Sequence, residues 1–189
     1  RVHTVVQKSD FPIMTPEGIQ RILKEILPPD RHADFERVKD ADFSYEIPGL
    51  ARFRVNAHLQ RGSVAMAFRT INDKVRALDQ LFLPEIVEKL TWLPRGLILV
   101  TGPTGSGKST TLAAMIDEIN RRDYGHIITL EDPIEYAFLS NRCAIEQREV
   151  GADVPDFASG LRHVLRQDPD VILVGEMRDL ETVGAAITA

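Results

Sequence analysis

The chain has 189 residues and 43% apolar content, enough for one large or two small packed domains. Its 28 Asp and Glu against 23 Lys and Arg argue against a broad nucleic-acid surface and confine basic sites to local clusters, and its single cysteine, Cys143, excludes an internal disulfide or a multi-cysteine zinc site and fits a reducing compartment. No run approaches the roughly 18 apolar residues of a membrane span, and no basic-then-apolar leader opens the chain, so a cytoplasmic protein with no nucleic-acid partner and no direct membrane insertion is expected.

The first periodic segment is Thr15 to Leu27. Thr15 can cap, Pro16 suits the first helical position, and Ile19, Ile22, Leu23 and Ile26 share one face, which predicts an amphipathic helix. From Phe43 the period changes to two. Phe43, Tyr45 and Ile47 precede the Pro48-Gly49 turn, and then Phe53, Val55, Ala57 and Leu59 alternate with Arg52, Arg54, Asn56 and His58, which predicts paired antiparallel strands. A third strand, Val64 to Ile71, follows Gln60-Arg61-Gly62 and completes a small α+β domain. After a helical stretch around Pro84 to Leu90, the break Trp92-Leu93-Pro94-Arg95-Gly96 predicts a domain junction, with domains over 1–93 and 94–189.

The second domain reads as α/β with a parallel sheet. The apolar run Leu97 to Val100 is expected as a strand entering a glycine-rich loop, followed by a helix with Leu112, Met115, Ile116 and Ile119 on one face and a buried strand, Ile127 to Leu130. A further amphipathic helix carries Phe157, Leu161, Val164 and Leu165 and precedes a third apolar strand, Val171 to Val174. Arg1 is not an initiator methionine, and Asp179 to Ala189 reads as a helix stopped in mid-run, so the chain is expected to be cut at both ends.

Between the first two of those strands lies Gly102-Pro103-Thr104-Gly105-Ser106-Gly107-Lys108-Ser109, a match to G-x-x-x-x-G-K-[ST] at every fixed position. Glycines let successive amide N–H groups turn inward around phosphates, and the helix that follows adds the partial positive charge of its N-terminus. Lys108 supplies a mobile full charge, and the Ser109 hydroxyl is the expected Mg²⁺ ligand beside the β- and γ-phosphates of ATP.

Two carboxylate groups follow at strand ends, where ligands of open α/β sheets bind. The first is Glu131-Asp132-Pro133-Ile134-Glu135, from which Glu135 is the candidate to orient or deprotonate an attacking water. Alone, this stretch reads equally well as a solvated acidic turn; the glycine loop upstream favours the chemical reading. The second is the run Asp168 to Glu176, in which an apolar strand leads to Glu176, a candidate to hold a metal-bound water, while Asp170 is expected to start the strand. Apolar strands ending in an acid are common, so this pattern gains its weight from following Gly102 to Ser109.

At these residues the chain resembles the secretion ATPase superfamily and, within it, the pilus retraction, or twitching-motility, ATPases. Gly102 to Thr111 with Leu112-Ala113-Ala114-Met115 is similar to the family's P-loop helix, which adds Thr110 to the cofactor contacts; Leu130 to Glu135 resembles its Asp box and Gly175 to Thr182 its Walker B region. Gln147-Arg148-Glu149-Val150-Gly151 also matches, as does Ala51 to Asn56 in the first domain. The resemblance implies a PAS-like first domain, a RecA-like P-loop ATPase domain, and a homo-hexamer that binds ATP and Mg²⁺. It further implies cytoplasmic work at the inner face of the inner membrane, through a type IV pilus platform protein. Arginines of the first domain approach the nucleotide in that family, and Arg54 and Arg69 occupy the matching strands, with Arg61 on the turn a weaker match. Arginines alternating on a strand also fit a plain solvated face. The family's His box and its C-terminal retraction motif are absent from this chain, as is its opening Ser-Asp-Leu-His-type segment. Ser109, Met177 and the lack of a cysteine-rich insert favour retraction over extension or type II secretion. A non-motor module gated by nucleotide is the reading from another class.

Overall fold

Thr15 stops an extended approach and turns it into a helix: its Oγ1 accepts the Gly18 N–H at 3.1 Å, and Pro16, which has no N–H to satisfy, occupies the first position. The computed structural model describes residues 7–8, 10–71 and 74–188 and shows this helix, α1, over Pro16–Ile26. The chain divides into two compact units, one ending at Thr70 and the other beginning at Ile71.

In the first unit a 3-10 turn at Pro29–Arg31 leads into α2 (His32–Val38), which ends on left-handed Lys39. Three strands follow, β1 (Asp40–Ile47), β2 (Ala51–Gln60) and β3 (Ser63–Ile71), in the order β1-β2-β3. β1 and β2 are antiparallel with Phe43 opposite Val55 and Ser44 opposite Arg54. The two-residue turn Arg61-Gly62 has positive φ at both positions, the backbone whose twist suits a tight hairpin. Alternation does the rest. Leu23, Leu27 and Phe35 of the helical side pack with Phe43, Val55 and Ala57, with Phe53, Val64 and Met66 at the margin, while Arg52, Arg54, Asn56 and His58 take the opposite face.

The second unit begins with a 3-10 turn at Leu78–Leu81 and α3 (Glu85–Leu90), followed by α4 (Lys108–Arg122). A parallel sheet then forms in the order β5-β4-β6, from β4 (His126–Glu131), β5 (Ala144–Glu149) and β6 (Val171–Val174). Helix α5 (Phe157–Val164), capped by the Asp156 carboxylate on the Ser159 N–H, and α6 (Leu180–Thr188) complete it. The sheet is covered on both faces. Ile127, Leu173 and Ile145 meet Ile116, Leu112 and Ile119 of α4, whereas Ile128 and Leu130 meet Leu161 and Val164 of α5. A central strand buried on both faces reads as a continuous apolar run, which is why β4 is legible in the sequence.

Two features differ from the sequence reading. Leu97 to Val100 was expected as a strand, yet residues 96–102 adopt no regular structure, and Leu97 and Leu99 are 51% and 60% exposed. An apolar run becomes a strand only when a neighbour supplies ladder hydrogen bonds, and among the described residues the sheet extends no further than β6 on that side. The division into units also falls earlier than the break at Trp92–Gly96, because the segment ahead of that break packs with the second unit. Arg122, in the last turn of α4, donates to Thr91 Oγ1 at 3.0 Å and to Thr91 O at 2.6 Å, and its guanidinium lies 5.0 Å from the Trp92 ring centre.

Candidate nucleotide-binding site

The glycine-rich loop folds as its sequence demands. Gly102, Gly105 and Gly107 have φ of 151°, 80° and 96°, the region that L side chains avoid. A Cβ on Gly102 would meet Ser106 Oγ at 2.7 Å, whereas one on Gly105 or Gly107 would enter open space, so the absent side chains leave a cradle above the loop. The Ser106 N–H closes the loop on Pro103 O at 3.2 Å, and the Thr111 N–H donates to Gly107 O at 2.9 Å as α4 begins. No side chain caps this helix start, which leaves the first-turn amides of Lys108, Ser109 and Thr110 for an anion. Lys108 Nζ donates to Gly102 O at 2.9 Å and Pro103 O at 3.0 Å, so its charge rests on the limb carrying Pro103 and Thr104. Neutral carbonyls are weaker partners for an ammonium than a phosphate is.

The carboxylates stand at the ends of β4 and β6. Glu131, the last residue of β4, is buried, and its Oε1 accepts from Thr129 Oγ1 at 2.6 Å and Gln147 Nε2 at 3.1 Å. Burial raises its pKa above the usual glutamate value; the bonds from Thr129, Gln147 and the Glu135 N–H oppose this, and the Glu135 charge adds to it. Glu135 is exposed. Glu176 lies two residues past β6, one-third exposed, with Arg178 at 2.9 Å. Asp170 takes a structural part, its Oδ2 accepting the His126 N–H at 2.8 Å where β4 and β6 start. Asp179 is the corresponding cap of α6: bonds from the Thr182 N–H and Oγ1, both 2.7 Å, hold its pKa below the usual aspartate value.

Close contacts bring these groups into one neighbourhood. Thr110 Oγ1 lies 3.0 Å from the Tyr136 hydroxyl, which sets the residue after Glu135 beside the loop helix. The Gly175 N–H donates to Leu130 O at 2.7 Å, which sets the residue before Glu176 beside Glu131. Pro103 and Thr104 form the exposed tip of the loop. Arg54 and Arg69 lie in the first unit on one face of its sheet, opposite the Phe53–Phe68 ring contact; Arg54 has Asp42 at 3.7 Å and Arg69 is exposed. Sequence reasoning did not single out Glu131 or Gln147. A glutamate ending a buried strand is the signal that was available for the first.

The open cradle, the uncapped amides and Lys108 fit a nucleotide polyphosphate. Among the described residues no three His, Cys, Asp or Glu side chains cluster as a metal cage. A hydroxyl such as Ser109 with one carboxylate fits Mg²⁺, which binds through few protein groups plus substrate phosphates. No helix among the described residues is long and apolar enough to cross a membrane.

The family described as type II/IV secretion system protein matches residues 50–189. Over its whole length the chain is 48% identical to the type IV pilus retraction ATPase PilT of Pseudomonas aeruginosa and 47% identical to a twitching motility protein of Neisseria gonorrhoeae. It covers 55% and 50% of those proteins, so it spans about half the length of the curated relatives it matches. A crystal structure of the pilus retraction motor PilT with bound ADP superimposes with a TM-score of 0.89 at 51% identity, over 93% of this chain and 51% of the other. The Legionella pneumophila ATPase DotB superimposes with a TM-score of 0.81 at 32% identity, over 95% of this chain and 52% of that one. With a parallel α/β sheet, a complete phosphate loop and these relatives, the chain belongs to the type II/IV secretion system protein family.

Proposed function

We propose that this chain is the nucleotide-handling part of a hexameric ATPase motor that powers type IV pilus retraction. The observation that carries the reading is the phosphate loop itself, three positive-φ glycines around an open cradle that ends on an uncapped helix bearing Lys108 and Ser109. The amides from Gly105 to Thr110 and the Lys108 ammonium hold the phosphates of ATP. Ser109, and Glu176 through water, would hold Mg²⁺, which would neutralise charge growing on the phosphate oxygens. Glu135 orients the attacking water and accepts its proton. Arg54 and Arg69 of a neighbouring subunit face the γ-phosphate, so turnover depends on assembly.

In this reading the unit ending at Thr70 is a PAS-like module, and the unit that carries the phosphate loop is RecA-like. The ring works in the cytoplasm against a type IV pilus platform protein at the inner membrane. Type II secretion is the second reading, favoured by 55% identity to secretion protein E of Aeromonas hydrophila, but that match spans 55% of the chain whereas the retraction relatives match all of it.

The test is Lys108→Ala in the full-length protein. Loss of the full positive charge that the phosphate-loop helix itself supplies is expected to lower kcat about 100-fold or more and to weaken ATP binding. Unchanged affinity and turnover would sink the assignment, and ATP binding by the wild type without turnover would favour a nucleotide-gated module over a motor.

A further inference from the structure

Residues 132–138, which carry Glu135, lie between β4 and β5, yet side chains secure their main chain at three points. The Ile134 N–H donates to Glu149 Oε2 at 3.2 Å. Gln147 supplies the other two: Nε2 donates to Tyr136 O at 2.8 Å, and Oε1 accepts the Phe138 N–H at 2.8 Å. A carbonyl and an N–H two residues apart on one edge are what the backbone of a paired strand would satisfy. Here a single amide does so, because it has a donor and an acceptor side by side. The same Nε2 also reaches Glu131 Oε1 at 3.1 Å, so Gln147 ties the loop to the buried end of β4. Glu131 receives bonds from Thr129 and Gln147, which occupies it in holding its neighbours and leaves the exposed Glu135 carboxylate to act on water. Across the loop, Tyr136 lies 3.0 Å from Thr110 on the phosphate-loop helix.

We propose that Gln147 is a positioning residue for ATP hydrolysis: by bridging Tyr136 O, the Phe138 N–H and Glu131, it fixes the main chain on which Glu135 is presented to the phosphates. The inference rests on the reading of Glu135 as the water-activating group. Its physical basis is that proton transfer requires the carboxylate within hydrogen-bond reach of the water, so about an ångström of loop drift costs on the order of 100-fold in rate. Phosphate binding depends on the glycine loop and is largely independent of that drift.

The experiment compares Gln147→Leu, Glu135→Gln and the double variant in the full-length protein, with single-turnover hydrolysis and titration of a fluorescent ATP analogue. Gln147→Leu is expected to lower the hydrolysis rate about 10- to 100-fold while the affinity stays within about threefold. Added to Glu135→Gln it should cause no further fall, because the group it aligns is already gone. Gln147→Glu keeps the shape but replaces the donor with an acceptor facing Tyr136 O and Glu131, and should show the same pattern; it carries the test should Gln147→Leu not fold. Wild-type rates in both Gln147 variants beside an inactive Glu135→Gln overturn this inference alone. A full additional loss on the Glu135→Gln background also overturns it, since Gln147 would then act elsewhere. Normal hydrolysis by Glu135→Gln overturns the underlying role of Glu135, while Lys108→Ala keeps the ATPase reading separately testable.

Discussion

Gly175 shows how little room separates the strand ends that carry the two chemical carboxylates. A Cβ there would stand 3.2 Å from Leu130 O and 3.3 Å from Glu131 Cα, both backbone atoms that cannot rotate away. Gly175→Ala must therefore push the end of β6 from β4 and carry Glu176 with it. We expect a stability loss of about 1–3 kcal/mol by urea denaturation, the usual cost of an overpacked methyl. The Mg²⁺ concentration needed for half-maximal ATP turnover should rise, because Glu176 is displaced. Wild-type stability would show that the two strand ends separate freely. The division of labour between Glu135 and Glu176 belongs to the same scale. Glu135→Gln keeps the shape and removes the proton acceptor, so ATP should stay bound while hydrolysis falls by about 100-fold or more. Glu176→Gln should instead raise the Mg²⁺ concentration needed for half-maximal rate. If Glu135→Gln hydrolyses ATP at the wild-type rate, Glu135 does not activate water.

At the scale of elements, α4 links the phosphate loop at its N-terminus to the segment ahead of that loop at its C-terminus. Arg122 makes two hydrogen bonds to Thr91, an ion pair with Asp123 at 2.6 Å and a cation–π contact with Trp92. Truncating it leaves the buried Thr91 without those donors, so Arg122→Ala should cost roughly 1–3 kcal/mol. Limited proteolysis should then cut sooner within residues 91–101, and unchanged cleavage there would remove Arg122 as the anchor. The sequence reading succeeded wherever one element carried its own signal. Thr15 and Pro16 announced α1, the strict alternation of Phe53 to His58 announced β2, and the buried apolar runs announced β4 and β6. It failed where structure depends on a neighbour. β5 reads Ala-Ile-Glu-Gln-Arg-Glu, with no apolar stripe, and is a strand because β4 offers it a ladder; Leu97 to Val100 has the apolar content and lacks the ladder. The same limit applies to the site. The loop motif and strand-end acids are local patterns, whereas the role of Gln147 exists only through contacts made across the sheet.

At the scale of the whole molecule, the proposed ring asks that one subunit's arginines complete another's site. Alternation places Phe53 with Phe68 on one side of the first unit's sheet, 6.2 Å apart, and therefore Arg54 and Arg69 together on the other. The ion pair of Arg54 among the described residues, to Asp42 at 3.7 Å, is a partly exposed contact of the kind that contributes little, so its guanidinium is readily exchanged onto a phosphate. A charge acting mainly on the transition state contributes to rate and little to ground-state binding, so Arg54→Ala and Arg69→Ala should bind ATP normally and lose turnover. Mixing separates action within a subunit from action between subunits. Arg54→Ala and Lys108→Ala subunits, each inactive alone, should regain partial ATPase activity in mixed rings. There, some interfaces pair an intact phosphate loop with an intact arginine. No recovery despite confirmed co-assembly would count against action between subunits. Full activity of both arginine variants alone would return Arg54 and Arg69 to an ordinary solvated face.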